Sequence, residues 1–222
     1  YCKEFEENIS GAQYISSNEM WVVKNEPAML YHLIHNNLTN VWDIYYNPIT
    51  IFYSDGTSNP DAEDIAITNE EGVLYVSVEE SNVDKISEPG VLRYNVMTIS
   101  NETYSLTATH FWDLTSLLPH SEANKGLEAI SWINDSYLCK NKFYDENTNS
   151  LYNPKQYPDH GEGLFFVGLE DNGYIYAVSL MGMKYKNVSA IIVQSIKGEF
   201  NTIMSLEFDI MTGYLWGGCD NH

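Results

Sequence analysis

The stretch AEDIAITNEEGVLYVS, residues 62–77, reads as a strand, a turn and a second strand. Its β-branched and aromatic runs are short, bounded by Asn, Glu and Gly, and show no helical period. The same unit recurs as GAQYISSNEMWVV (11–23), GLEAISWINDSYLCK (126–140) and SLEFDIMTGYLWGG (205–218). Each copy places an aliphatic residue at one point after the turn: Met20, Leu74, Leu138 and Leu215. A third strand repeats too, because EPAMLYHL from Glu26 matches EPGVLRYNV from Glu88, and NGYIYAVSL after Asp171 takes that place in the third unit. With LFFVGL and AIIVQSI, the pattern predicts an all-β chain.

Repeats of four short strands that cannot bury both faces alone are the pattern of β-propeller blades, four-stranded antiparallel sheets stacked around a hub. Residues 1–222 are thus read as a single propeller domain showing three blades and the start of a fourth. Closed propellers have about four to eight blades, so either the domain continues past His222, or a partner chain or self-assembly completes it, or the fold is not a closed propeller. Residues 143–163, containing DENTNSLYNPKQYPDHGEG (145–163), are polar and turn-rich and are expected to form an inserted loop.

The chain carries 31 acidic and 11 basic side chains, a formal charge of −20, and Arg93 is its one arginine. Sequence-independent nucleic-acid binding needs clustered Lys and Arg and is therefore not expected. No run approaches the length of a membrane span. The chain opens at Tyr1 with no charged-then-apolar leader, as a secreted protein trimmed of its signal would. N-x-S/T sequons stand at Asn8, Asn37, Asn101, Asn134 and Asn187, against about three expected by chance, and those at 101, 134 and 187 fall at expected hairpin turns where a glycan can project into water. Secretion and N-linked glycans are the expectation.

The first-strand repeat aligns Gln13, Glu63, Glu128 and Glu207 in one column, and in a propeller that strand lines the central channel. Converging carboxylates repel unless protons or a cation neutralise them, and Ca²⁺ takes six to eight oxygens. A second column holds Asn25, Glu79 and Asp220, and Asp61 and Asp64 flank Glu63. The candidate metal ligands are therefore Glu63, Glu128, Glu207, Asp61, Asp64, Glu79 and Asp220. The bland alternative is that these acids are solvated or accept backbone N–H groups from neighbouring sheets. Asp145-x-Asn147-x-Asn149 copies the start of a calcium loop but has Ser150 for Gly and Gln156 for Glu, so an Asx-rich turn is favoured.

Nucleophilic catalysis finds no motif: G-x-S-x-G, H-E-x-x-H and C-x-x-C are all missing. His110 and His160 are expected to pack rather than act as bases. Lys125, just before Gly126-Leu127-Glu128, is the best-placed cation for a phosphate ester, although an exposed loop lysine is the favoured reading.

DAEDIAITNEEGVLYVSVEES, NKGLEAISW, YPDHGEGLFFVGLEDNGYIYAVSL and SLEFDIMTGYLWGGCDN, in this order, resemble the secreted phytase-like propeller family, also described as having esterase-like activity of phytase. The resemblance spans roughly residues 11–222 and implies a propeller fold, an extracellular setting and calcium. It also implies that the partner of Cys219 lies further along a longer chain, while pairing of Cys2 with Cys139 or Cys219 stays open. The expected function is a secreted, glycosylated, Ca²⁺-binding propeller acting as an extracellular binding or structural module. The alternative is a calcium-dependent phosphate-ester or carboxyl-ester hydrolase.

Overall fold

A computed structural model describes residues 7–83, 85–122, 124–184 and 187–219. Chain order runs β1 (Ile9–Ser16), β2 (Glu19–Lys24), β3 (Met29–Asn36), β4 (Val41–Ile44), β5 (Ile49–Phe52), β6 (Pro60–Ile67), β7 (Val73–Ser81), β8 (Ser87–Asn95), β9 (Ser105–Thr107) and β10 (His110–Asp113). Then follow β11 (Leu127–Asn134), α1 (Asp135–Lys140), β12 (Tyr144–Asp145), β13 (Ser150–Leu151), β14 (Gly163–Leu169), β15 (Tyr174–Met181), β16 (Ser189–Lys197), β17 (Ser205–Asp209) and β18 (Tyr214–Gly218).

These strands form an all-β fold of consecutive sheets. The first has the order β1-β2-β3-β5-β9, with β4 beside β3 and β9 joining in parallel. The second is β6-β7-β8-β10 and the third β11-β14-β15-β16, both four-stranded and antiparallel. The hairpin β17-β18 follows. The first strands of the four lie side by side, β1 against β6, β6 against β11 and β11 against β17.

Side-chain alternation explains the stacking. On β7, Leu74, Val76 and Val78 enter the core shared with the first sheet, while Val73 and Tyr75 enter the core shared with the third. On β14, Phe165 and Val167 face the second sheet, and Leu164 and Phe166 face the β17-β18 side. Strands buried on both faces read as near-continuous apolar runs, which is how VLYVSV and LFFVGL appear in the sequence.

The third unit departs from the expected repeat. SYLCK forms α1 rather than a second strand, so Leu138 lies on a helix and β14 supplies the second strand. The cause is local: Asn134 Oδ1 accepts the Tyr137 N–H at 2.8 Å and caps the helix, and Asp135 stands in its positive first turn. Asn134 is therefore a half-buried helix cap rather than a hairpin-turn residue, whereas Asn8, Asn37, Asn101 and Asn187 are exposed. Between α1 and β14 the chain makes the small hairpin β12-β13 and a 3-10 turn at Pro154–Gln156, and it buries Tyr152 and Tyr157 against the third sheet.

Close contact between the first and second sheets depends on Gly11. A Cβ there would lie 2.5 Å from Asp64 Cα and 2.7 Å from the Glu63 carbonyl oxygen. Backbone cannot yield as a flexible side chain can, so Gly11→Ala should cost about 1–3 kcal/mol. A lowered urea midpoint at unchanged slope checks it.

Candidate acidic site

Register irregularities on two strands help to shape the site. Register shifts between Pro60 and Asp64 on β6, and between Val78 and Glu80 on β7, break strict in-out alternation. A bulge re-aims the side chains around it. With sheets packed on both faces of β6 and β7, Asp61, Glu63, Asp64, Glu79 and Glu80 are all buried, although several are sequence neighbours.

Asp61, Glu63 and Glu79 each place a carboxylate oxygen within 4.8 Å of the others, and Glu79, Glu128 and Glu170 do the same. Glu79 is the shared member. Glu63 accepts from Ser10 Oγ and, at 3.5 Å, from Asn25 Nδ2, so β1 and the turn after β2 reach the cluster. Glu79 Oε1 accepts the Gly126 N–H, which ties β7 to the start of β11. Two oxygens are left over: Asp61 Oδ1 and Asn25 Oδ1 are buried with no hydrogen-bond partner among the described residues.

Electrostatics follow from burial. Loss of hydration pushes Asp61 up to about 7, and the Glu63 charge beside it adds to the effect. Burial likewise raises Glu79 to about 7 against the opposing pull of the Gly126 N–H. Glu128 is pushed up to about 9 by burial and then by Glu63, Glu79 and Glu170. The nearby ammonium is Lys85, 3.5 Å from Glu80 and from Glu26, whose field lowers Asp61 without cancelling the rise.

The other residues singled out in the sequence take different places. Asp64 is buried and accepts from Ile130 N at 3.1 Å and Ile65 N at 2.8 Å. Burial raises it to about 8, and its carboxylate stitches the second sheet to the third, the backbone-bonding role of the bland alternative. Glu207 accepts from Gln13 Nε2 at 3.5 Å, joining the first sheet to the last hairpin, and lies outside both carboxylate groups. Asp220 and Cys2 are outside the described residues. Cys139 is an exposed free thiol.

Asp145 is fully buried and accepts from Thr148 N and Tyr157 Oη, so it closes an Asx turn in the β12-β13 hairpin. His160 is buried against Asp135 and Tyr152, and His110 stacks on Trp112 at 5.3 Å. Lys125 is engaged by Glu122 at 2.7 Å and Asp171 at 3.9 Å. The column alignment missed Glu170, which sits in the turn after β14 and is positioned by its N–H bond to the Gly126 carbonyl at 3.0 Å.

Chemically, the arrangement is a set of oxygen donors in a buried setting. Only oxygens are offered, and carboxylates dominate. Such a set suits a hard divalent cation.

The chain matches no family model and no curated protein. A structural genomics protein of unknown function from Bacteroides thetaiotaomicron is similar at a TM-score of 0.43 and 9% identity, over 95% of this chain. The chain spans 38% of that protein's length. Among the described residues no helix is long and apolar enough to cross a membrane.

Proposed function

We propose that this chain is a calcium-dependent β-propeller module that acts outside the cell as a binding or structural unit. Asp61, Glu63 and Glu79 form the heart of its cation site, and Glu128 and Glu170 extend it. The observation that carries this reading is Asp61: it is 5% exposed, stands among other buried carboxylates, and keeps Oδ1 without a partner among the described residues. A buried polar atom left unsatisfied costs about 1–3 kcal/mol, more when charged. A divalent cation removes that cost and the mutual repulsion together.

The propeller reading is supported by face-to-face sheets whose first strands share one side, and by the Gln13–Glu207 contact between the first sheet and the last hairpin. Exposed sequons at Asn8, Asn37, Asn101 and Asn187 and the family resemblance support an extracellular setting.

Calorimetric titration with CaCl₂ tests the site directly. Heat of binding is expected, with a rise in melting temperature over chelated protein. At a calcium concentration of 100 times Kd the gain is about 2.7 kcal/mol, or about 5–10 °C for a chain of this size. Asp61→Asn combined with Glu79→Gln should abolish both signals. Equal melting with calcium and with chelator would sink the reading.

A further inference from the structure

A cavity of about 620 Å³ opens between the second and third sheets and the segment that precedes β14. Its volume falls within the range of about 300–1,000 Å³ of small-molecule sites. Asp61 and Glu63 stand at the start of β6, whereas Thr68 and Glu70 at the cavity rim follow its end. At about 3.3 Å per residue the two features lie roughly 20 Å apart along the strand. The cavity is thus independent of the acidic cluster.

Its floor is aromatic. Tyr75 and Phe165 are buried with ring centroids 4.6 Å apart, Tyr157 is buried beside them, and Trp132 is half-buried. The Trp132 indole rests on Gly163, where a Cβ would come within 2.6 Å of its Nε1 and Cε2. Only glycine permits that seat. Trp132 is half-buried and lines the cavity, so part of its indole is presented to it.

The rim is polar and mixed in sign. Exposed Lys155 and Lys184 are matched by Asp159 and Glu162, and Glu70 is paired with Arg93. On a chain of −20, the lining carries three carboxylates against two ammonium groups, and Arg93 behind Glu70 brings the sum to zero. Its parts are fixed before any ligand arrives: Glu162 accepts from Asn69 Nδ2 at 3.4 Å, Asp159 Oδ2 accepts the Lys184 N–H at 3.0 Å, and the Asp159 carbonyl accepts from Gly182 and Met183. Preorganisation of this kind lowers the cost of binding.

From these features we infer that the cavity binds a neutral oligosaccharide, with room for roughly two sugar rings. The C–H face of a pyranose stacks on Trp132, and its hydroxyls reach donors and acceptors of the rim. An anion would meet Asp159 and Glu162, a cation would meet both lysines, and a wholly apolar ligand would strip water from all four. An uncharged, hydroxyl-bearing ring escapes each penalty.

Titration of the full chain with cellobiose, chitobiose, maltose and, as anionic comparator, digalacturonic acid tests the inference by calorimetry and tryptophan fluorescence. At least one neutral disaccharide should bind and shift the emission. Trp132→Phe should remove the shift, and Trp132→Ala should weaken binding about tenfold or more. Glu162→Gln and Lys184→Gln alter exposed side chains, so they should weaken binding at unchanged melting temperature and keep the question open to test if Trp132→Ala does not fold. Binding of digalacturonic acid alone, binding of none of the four, or neutral-sugar affinity indifferent to Glu162→Gln, Lys184→Gln and the Trp132 variants would overturn it.

Discussion

Replacing Trp112 by alanine should destabilise the protein by about 3–5 kcal/mol, the cost of emptying a large buried aromatic site. Trp112 is 1% exposed on β10, the outer strand of the second sheet, and its ring packs with Tyr75 in the core shared with the third. It also reaches across that boundary, because its Nε1–H donates to the Met181 carbonyl at the end of β15 at 2.8 Å. One side chain therefore carries both the packing and a hydrogen bond between sheets. Trp112→Phe separates the two: much of the apolar volume stays, while the Met181 carbonyl loses its donor, so a smaller loss of about 1–3 kcal/mol is expected. Urea unfolding followed by far-UV circular dichroism measures both. Loss of less than about 1 kcal/mol in the alanine variant would mean that the sheets do not depend on this contact.

The strands were the most legible part of the chain. VLYVSV, LFFVGL and YIYAVSL are apolar on both faces, and each became a central strand of a four-stranded sheet. The repeat of first strands was legible for the same reason, since β1, β6, β11 and β17 each precede the turn or insertion that leads to their neighbour. At Leu138 the repeat spacing points to a strand, whereas the residue lies on α1. The helix signal was present in Asn134-Asp135-Ser136, where a capping amide and a first-turn acid precede Tyr137 and Leu138.

The acidic site was half legible. Glu63 and Glu79 fell in different repeat columns, yet they meet because neighbouring strands β6 and β7 run antiparallel and bring the start of one to the end of the other. Glu170 belongs to no column, since it comes from a turn. Glu63 with Asp64 and Glu79 with Glu80 are buried together because sheets cover both faces of β6 and β7, and the register irregularities beside them leave no dependable mark in a single sequence. Glu207 repeats the pattern but ends against Gln13, because the last hairpin faces the first sheet there.

Raising the pH from about 5 to about 9 in the presence of chelator should lower the melting temperature, and calcium should reverse the loss. Ordinary carboxylates titrate near 4. In the folded chain Asp61 and Glu79 stand at about 7, Asp64 at about 8 and Glu128 at about 9, burial being the leading cause in each. Between the unfolded and folded values the native state holds more protons than the unfolded one, so unfolding free energy falls as pH rises. This contribution is fully present below about pH 4 and is lost as pH climbs through 7 to 9. Asp55 has the opposite sign, held down at about 2 by backbone N–H bonds from Thr57 and Ser58, but its window lies below pH 4 and does not interfere. Calcium needs deprotonated oxygens and displaces those protons, so its stabilising effect should grow across the same interval in which the calcium-free protein weakens. Asp61→Asn with Glu79→Gln should remove the calcium effect and reduce the pH-dependent loss without abolishing it, because burial keeps Asp64 and Glu128 raised. Melting temperatures taken at steps from about pH 5 to 9, with calcium and with chelator, give the answer: a calcium-free protein that gains stability towards alkaline pH would show that water, rather than protons or a cation, balances these buried carboxylates.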